Sequence, residues 1–332
     1  MSRRLLIGVA LAAMVVAATP ALADATLRIE RPVDLSALPL LVMQHQHLIE
    51  RVAEAMGIGN VTVTWIATGE QPPLDDLAAG KTDLAVVDLP HFLLAADAPG
   101  GNAGEVRALG AIVQQPYVLV TRNPKIHTIL DFAHTDRIAV PAPKVSGPAL
   151  ALEMAAAQEW GPAQYDKLDG LVLARPDSAA ANELIEGKSE LTAHFSRSPY
   201  VDGELDDKAI HRVMDSFDAD GPHSTAVLAT TTRLRAANPT LCAAILSALQ
   251  QADDFIRQNR GEAAEIFSSM DKDDIPVEDV SDMIGDPDLA YTAAPAGVMR
   301  LAAFMQRIGR LKGHVGAWQD LFLPEARDLK GN

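Results

Sequence analysis

The stretch AHFSRSPY (193–200) sets a histidine, an aromatic ring and a serine side by side, followed by an arginine. His194 is a hydrogen-bonding group that titrates near neutral pH, and Phe195 is an apolar wall. If the stretch ends a strand at a cleft, both side chains are expected to contact a small bound solute. The alternative is a buried, hydrogen-bonded His194 beside a core Phe195. Arg197 could clamp a carboxylate or sulfonate, but an arginine in a turn is usually solvated, so we leave it out of the predicted site.

A second group, Ser146-Gly147-Pro148, opens a predicted helix that runs through Trp160. An N-cap serine lies beside free backbone N–H groups and the positive end of the helix dipole, an arrangement that binds anions. Pro148 removes one of those donors. We expect Ser146 and Gly147 to contact a ligand. The alternative is an ordinary N-cap serine that stabilises only its own helix.

Further polar residues follow other predicted strands: Ser36, Thr68 with Gly69, and Asp88 with His91. In open α/β sheets, ligands bind beyond the carboxyl ends of the strands. That rule predicts that Ser36, Thr68, Asp88 and His91 line a binding site. The Asp88 carboxylate suits a solute that carries an amine, such as taurine, although a carboxylate at this position more often caps the next helix.

The segment GPHSTAV carries His223, Ser224 and Thr225 where the chain is expected to return from one lobe to another. These residues either line the cleft between the lobes or close a turn after Gly221-Pro222. The sequence pattern does not separate the two interpretations. We include His223 and Thr225 in the predicted ligand-binding set.

Strand-like and helix-like segments alternate along most of the chain, an order typical of α/β proteins. Strands are predicted at 26–33, 61–66, 83–89, 116–122, 137–141, 170–175, 189–195 and 224–231. The pattern predicts two Rossmann-like lobes with mostly parallel sheets flanked by helices, joined by a two-strand hinge, and a helical C-terminal region. We expect lobe 1 to comprise residues 24–115 and 225–332, and lobe 2 residues 116–224.

Two helix beginnings are also predicted. Apolar residues from Leu41 to Met56 recur at helical spacing, which predicts one helix with Ser36 as its N-cap and Gly57 as its end. Thr128 and Asp131 have the spacing of a capping box, which predicts a short helix there.

The N-terminus has the three-part layout of a secretory signal over residues 1–23. Arg3 and Arg4 precede an uncharged run, and Ala21-Leu22-Ala23 forms a cleavage site before Asp24. A faint twin-arginine pattern is incomplete, which favours ordinary secretion. The one cysteine, Cys242, excludes an internal disulfide and lies far from the cleavage site, so no lipid anchor is expected there. The sequence therefore predicts an unanchored protein of the bacterial periplasm.

Charge and motifs exclude several functions. The formal net charge is −16, and loss of Arg3 and Arg4 with the signal would make it −18. Such acidity argues against nucleic acids and anionic membrane surfaces as partners, although local backbone dipoles can still bind an anion. No Gly-x-Ser-x-Gly, His-Glu-x-x-His or phosphate-binding loop occurs. His45 and His47 are two apart on a helix and cannot chelate together. We expect no catalytic residues, no cofactor and no metal.

Several segments, in this order and spacing, resemble one family. They are LAAGKTDLAVVDLP, YVLVTRNPKIHTILDF with RIAVPAPKVSGPAL, LIEGKSELTAHFSRSPY, DADGPHSTAVLATTTRLRAANP, and YTAAPAGVMRLAAFMQRIGRLKGHVGAWQDLF. Together they are similar to the periplasmic solute-binding proteins of nitrate, sulfonate and taurine ABC uptake systems, which have the type II periplasmic-binding-protein fold. The loop VDLSALPLL departs from the family, because it lacks the glycine-rich or aromatic character of many relatives.

The resemblance implies a monomeric, non-catalytic receptor that closes on a small anionic solute, sulfonate-, taurine- or nitrate-like. Its expected partner is an inner-membrane ABC permease with a cytoplasmic ATPase. The alternative is a periplasmic enzyme or ligand sensor of the same fold, for a small heteroaromatic or thiamine-precursor-like molecule. Relatives that make the pyrimidine of thiamine carry a cysteine-rich segment with no counterpart here.

Overall fold

The computed structural model describes residues 25–32, 34–69, 71–98, 105–270 and 275–332. The predicted export signal lies outside the described residues. In chain order the strands are β1 (Ala25–Arg31), β2 (Val61–Ala67), β3 (Leu84–Asp88), β4 (Val106–Gln114), β5 (Val118–Thr121), β6 (Ile138–Val140), β7 (Val172–Ala174), β8 (Ala193–Ser196), β9 (His211–Asp215), β10 (Ser224–Thr231) and β11 (Ala290–Tyr291).

The helices surround these strands. They are α1 (Leu38–His45), α2 (Leu48–Ala55), α3 (Pro73–Ala78), α4 (Leu89–Asp97), α5 (Gly147–Trp160), α6 (Asp177–Glu186), α7 (Tyr200–Asp206), α8 (Ser216–Asp220), α9 (Thr232–Ala237), α10 (Pro239–Gln258), α11 (Arg260–Met270), α12 (Val277–Ile284) and α13 (Val298–Arg307). Short 3₁₀ turns lie between them, and one of these, Ile129–Asp131, carries the predicted Thr128–Asp131 capping box. Within the described residues, no helix is long and apolar enough to cross a membrane.

The strands form two sheets, which confirms the α/β class. The first sheet has the order β11-β4-β10-β3-β1-β2, and the second has the order β7-β6-β8-β5-β9. β1 is parallel to β2 and β3, and β6 is parallel to β7 and β8. β10 is antiparallel to β3 and β4, and β5 is antiparallel to β8 and β9. Both sheets are thus more mixed than the mostly parallel arrangement expected.

The path of the chain explains this mixture. β4 ends and β10 begins where the chain passes between the sheets, so the two neighbours must run in opposite directions. The same holds for β5 and β9 in the second sheet. The sequence pattern predicts neither β4 nor β9. β4 is rich in alanine and glycine, which are depleted in strands, and Gly110 within it lets Leu249 of α10 pack close to the backbone.

The long helix expected after β1 is two helices. His47 adopts a left-handed conformation with φ of 51°, which ends α1 and starts α2 in a new direction. Ser36 is not the N-cap. The Asp34 carboxylate instead accepts the Ser36 backbone N–H and begins a 3₁₀ turn that leads into α1.

The larger core lies around the first sheet. β10 is buried along its whole length, and α10 packs through buried residues at helical spacing, including Leu241, Ile245 and Leu249. Cys242 on the same helix is free and fully buried, and burial raises the pKa of its thiol to about 12. Because no disulfide is available, apolar burial of this kind supplies the stability of the fold.

Two segments connect the sheets, residues 115–117 and 216–223. They are hydrogen-bonded to each other. The Tyr117 backbone N–H donates to the Ser216 hydroxyl at 2.8 Å, and the Ser216 N–H donates to the Tyr117 carbonyl at 2.9 Å. The two connections therefore form one paired joint between the sheets.

Candidate functional site

A cavity of about 440 Å³ lies between the two sheets and is lined by loops from both. We call it the inter-sheet cavity. Six of the ten residues predicted to bind a ligand line it: Ser36, Thr68, Asp88, His91, Ser146 and Thr225. Gly147 and His223 line a smaller, mostly apolar cavity of about 30 Å³ on the other side of Tyr117. His194 and Phe195 line neither of these two cavities.

Strand direction explains why these loops meet. Asp34, Thr68 and Asp88 follow or end the parallel strands β1, β2 and β3. Asp177 and Arg197 follow β7 and β8, which run parallel to β6, in the second sheet. Carboxyl ends of parallel strands share one edge of a sheet, and here the two edges face the same cavity.

Arg197 crosses the inter-sheet cavity. Its Nη2 lies 3.3 Å from Asp34 Oδ2 of the first sheet, and its Nε lies 3.2 Å from Asp177 Oδ2 of the second. Burial lowers the pKa of the guanidinium, but Asp34 and Asp177 outweigh burial and raise it overall. Arg197 is thus a charged group whose charge is balanced by two carboxylates. The expectation that Arg197 is a solvated turn residue is wrong, because it lines the cavity and contacts two carboxylates.

His194 and Phe195 need correction as ligand-contacting residues, because both are fully buried. β8 is paired along both edges, by β6 and β5, and helices α5 and α6 pack on it, so that all its residues are buried up to its end at Ser196. Phe195 packs edge-on against Tyr117, with ring centroids 6.4 Å apart. Neither side chain is reachable by a solute in this conformation.

His194 is instead held between two acids. Its Nδ1 lies 2.7 Å from Glu204 Oε1, and its Nε2 lies 3.5 Å from Asp177 Oδ1. Burial lowers the pKa of His194, but the bonds to Asp177 and Glu204 outweigh it, and the pKa rises to about 9. His194 therefore supports Asp177, which does line the inter-sheet cavity.

Ser146 lines the cavity, but its hydroxyl does not cap α5. The hydroxyl donates to the Ala142 carbonyl at 2.7 Å. The next residue, Gly147, lies against the Tyr117 side chain, since a Cβ added at Gly147 would be 2.1 Å from the Tyr117 hydroxyl oxygen. The beginning of α5 thus fixes the position of Tyr117. The Ser146 hydroxyl proton is already donated within the protein.

Asp88 caps α4, which is the alternative expected for a carboxylate at the end of a strand. Its Oδ1 accepts the His91 backbone N–H at 3.2 Å and also contacts the His91 ring at Nδ1. That ring contact raises the pKa of His91, although burial opposes it. The Asp88 side chain remains 32 % exposed.

His223 belongs to the joint between the sheets. Its ring lies between Phe217 and Tyr117, with centroids 5.0 and 5.7 Å away. Burial lowers the pKa of His223 to about 4, so the ring is neutral at physiological pH. Thr225, two residues later, lines the inter-sheet cavity, and its buried Oγ1 has no hydrogen-bond partner among the described residues.

The structure adds Asp34, Tyr117, Asp177 and Arg197 to the predicted site residues. Asp34 and Asp177 follow strands and could have been found by the rule that nominated Asp88. The only sequence feature that could have identified Tyr117 is its place in the connection between the sheets at residues 115–117. Within the described part of the chain, no group of three His, Cys, Asp or Glu side chains could hold a metal ion.

No protein-family model and no curated protein matches the sequence. Solved structures do match. The periplasmic aliphatic sulphonate binding protein SsuA of Escherichia coli superposes with a TM-score of 0.67 at 16% identity, over 90% of this chain and 98% of that chain. The periplasmic nitrate-binding protein NrtA of Synechocystis PCC 6803 superposes with a TM-score of 0.70 at 15% identity, over 91% of this chain and 86% of that chain. The alkanesulfonate-binding protein SsuA of Xanthomonas axonopodis pv. citri, bound to MOPS, superposes with a TM-score of 0.66 at 17% identity, over 87% of this chain and 95% of that chain.

These structural neighbours are binding proteins by name, and the similarity extends over nearly the whole of each chain. At such low identity the likeness concerns the fold. The chain has the fold of the periplasmic solute-binding proteins of ABC import systems.

Proposed function

We propose that the protein is the solute-binding component of an ABC uptake system and belongs to the nitrate/sulfonate/taurine-type family. The observation that carries the proposal is the inter-sheet cavity, which is lined by polar residues from both sheets beside a paired joint. A cavity shared between two bodies lets a solute stabilise the form in which both contact it.

The proposed mechanism is closure about the joint. Residues 24–115 and 225–332 would form one lobe and residues 116–224 the other. Arg197 and Asp34 already contact each other across the cavity, so the described conformation resembles a closed form. A solute that contacts both sides would favour this form, and the permease, with its cytoplasmic ATPase, would receive the closed receptor.

The remaining expectations follow from the same proposal. The segment 1–23 would export the chain to the periplasm, and the receptor would act as a monomer without catalysis. Small sulfonates, taurine and nitrate are the first solutes to test, because the structural neighbours bind sulfonates or nitrate by name. Thr68, Ser36, Asp88, His91, Ser146 and Thr225 are the proposed contacts from the predicted set.

A thermal-shift screen of the chain without residues 1–23 tests this proposal. The panel contains sulfonates, carboxylates, nitrate, amines and thiamine precursors. A solute at about 100 times its dissociation constant adds roughly 2.7 kcal/mol to the free energy of unfolding. We expect a dose-dependent rise of the unfolding midpoint with at least one solute, and recovery of that solute unchanged. Turnover of the solute would favour the enzyme alternative.

A matched pair of variants locates the binding. Gly147→Ala places a methyl group against the buried Tyr117 ring and should move that ring, with about a tenfold loss of affinity. Gly170→Ala is the control, because no atom lies within 4 Å of its added Cβ. Equal affinity in the two variants would place the solute elsewhere and contradict a role for the inter-sheet cavity.

A further inference from the structure

The charges that line the inter-sheet cavity are mostly negative. Among the described residues, three carboxylates, Asp34, Asp88 and Asp177, face one guanidinium, Arg197, and one imidazole, His91. Even when His91 is protonated, the carboxylates outnumber the cations. The nearby buried pair, His194 and Glu204, adds one charge of each sign and leaves this excess unchanged.

The cations are already paired inside the protein. Arg197 contacts Asp34 and Asp177, and the His91 ring contacts Asp88. A simple anion such as nitrate would therefore have to displace a carboxylate from its partner before it met a positive side chain. Breaking such a part-buried pair leaves one carboxylate uncompensated, which is costly.

Two of the turn and helix beginnings at the cavity already hold a carboxylate, because Asp34 accepts the Ser36 N–H at 2.9 Å and Asp88 accepts the His91 N–H at 3.2 Å. Backbone N–H groups at helix beginnings commonly bind anions, and at these two the chain supplies its own carboxylate. α6 begins without a side-chain cap, but its first residue is Asp177, whose negative charge opposes an added anion there. The beginning of α5 carries Pro148 and a serine whose hydroxyl is donated to Ala142.

One side of the cavity holds acceptors that remain free. Both contacts to His91 use Asp88 Oδ1, and among the described residues no hydrogen bond reaches Asp88 Oδ2. Asp88 pairs in register with Ala226, the neighbour of Thr225, whose buried Oγ1 has no partner in the described structure. Asp88 also lies close enough to Tyr117 for its charge to help burial raise the pKa of the tyrosine hydroxyl.

From these observations we propose that the solute carries a protonated amine, which Asp88 receives in a cavity that Thr225 and the Tyr117 ring also line. An ammonium group supplies the three donors that these acceptors lack, and it is attracted to an aromatic face. The inference rests on the proposed receptor function and narrows its solute from simple anions to amines, including zwitterions such as aminosulfonates.

Paired probes test the inference by isothermal titration calorimetry on the chain without residues 1–23. Taurine is compared with isethionate, and 3-aminopropanesulfonate with propanesulfonate, so that each pair differs in the amine. 1,3-Diaminopropane and nitrate are the purely cationic and anionic probes. We expect at least one amine probe to bind, and its amine-free counterpart to bind at least about tenfold more weakly.

A charge variant tests the role of Asp88. Asp88→Asn keeps an N-cap acceptor for α4 but removes the charge, so the fold should persist while affinity for the amine probe falls about tenfold. Asp131→Asn is the control, because Asp131 is an exposed capping residue of the 3₁₀ turn Ile129–Asp131. Thr225→Val gives a second test in which the charge of the cavity is unchanged. It too should lower the affinity for the amine probe.

The outcomes separate this inference from the proposed function. If isethionate, propanesulfonate or nitrate binds as tightly as the amine probes, the inference is overturned and the receptor proposal stands. Unchanged affinity of an amine probe in both Asp88→Asn and Thr225→Val would likewise overturn it. If neither these probes nor the broader thermal-shift panel bind, both proposals fail.

Discussion

His194 is a buried cation whose charge is compensated by two carboxylates of the protein itself. Its ring lies between Asp177 and Glu204, and the bonds to these acids overcome the effect of burial and raise its pKa from 6.5 to about 9. The folded protein therefore binds this proton more tightly than the unfolded chain does. The resulting stabilisation is complete below about pH 6.5 and is lost as the pH rises through about 9.

This pKa gives a direct prediction. ¹⁵N-histidine NMR should show His194 as an imidazolium at about pH 7.5, well above the pKa of an ordinary histidine. The free energy of unfolding should fall between about pH 6.5 and 9 by an amount on the order of 3 kcal/mol from this group. His194→Gln should remove that part of the pH dependence.

The control for this prediction is His211→Gln. His211 lies on β9 of the same sheet, and its Nε2 contacts the Ile126 carbonyl at 2.7 Å, with no carboxylate partner in the part of the chain that the structure describes. Its replacement should leave the pH dependence between about pH 6.5 and 9 in place. A neutral His194 at about pH 7.5 would show that the two carboxylates do not hold the proton.

At the scale of elements, α5 is fastened to the segment that follows α13. Both guanidinium ends of Arg310 lie 2.6 Å from the Glu153 carboxylate oxygens. Burial raises the pKa of Glu153 to about 7 against the opposing effect of Arg310. The Glu153 side chain is only 2% exposed, so this carboxylate depends on Arg310 for compensation.

Removing one partner of this pair should therefore lower the free energy of unfolding more than removing both. Arg310→Met should lower the free energy of unfolding by roughly 1 to 3 kcal/mol at neutral pH, measured by urea denaturation, because Glu153 then takes up a proton and remains a buried carboxyl without its partner. The double variant Arg310→Met with Glu153→Met should recover most of that loss. Arg307→Met, three residues away on an exposed site, should cost less than about 1 kcal/mol. Additive losses in the double variant would argue against a coupled pair.

The same scale shows what the sequence could predict. The strand and helix alternation was readable because most strands are apolar runs bounded by turns, as in β3 and β10. β4 was missed because its alanines and glycine make a weak strand signal. The break at His47 was missed because the left-handed conformation of a single residue leaves no mark on apolar spacing. The rule about strand ends located the cavity, but the burial of His194 depends on the helices that pack on β8, including α6 and Glu204 of α7, and that is a tertiary property.

At the scale of the whole molecule, the Asp34–Arg197 contact joins loops of the two sheets across the cavity. In the absence of a solute, this contact favours the conformation in which the two sides of the cavity meet. Asp34→Asn should keep the cap for Ser36 but lose the charge that attracts Arg197. We expect about a fivefold shift toward open forms, equivalent to about 1 kcal/mol.

Small-angle X-ray scattering of the solute-free protein measures this shift. The radius of gyration should be larger for Asp34→Asn than for the parent chain, and a bound solute should reduce the difference. Asp131→Asn should scatter like the parent, because its capping interactions stay within one short turn. An unchanged radius in Asp34→Asn would mean that other contacts determine closure.

Cys242 has a consequence for chemical labelling. It is the one cysteine in the sequence, it is fully buried in the core around α10, and burial raises the pKa of its thiol to about 12. The thiol is thus protonated and shielded at neutral pH, where maleimide dyes react with accessible thiolates. An introduced surface cysteine on each side of the inter-sheet cavity would then take up dye without removal of the native one. If the protein closes on a solute as proposed, a doubly labelled chain would report that binding as a fluorescence signal.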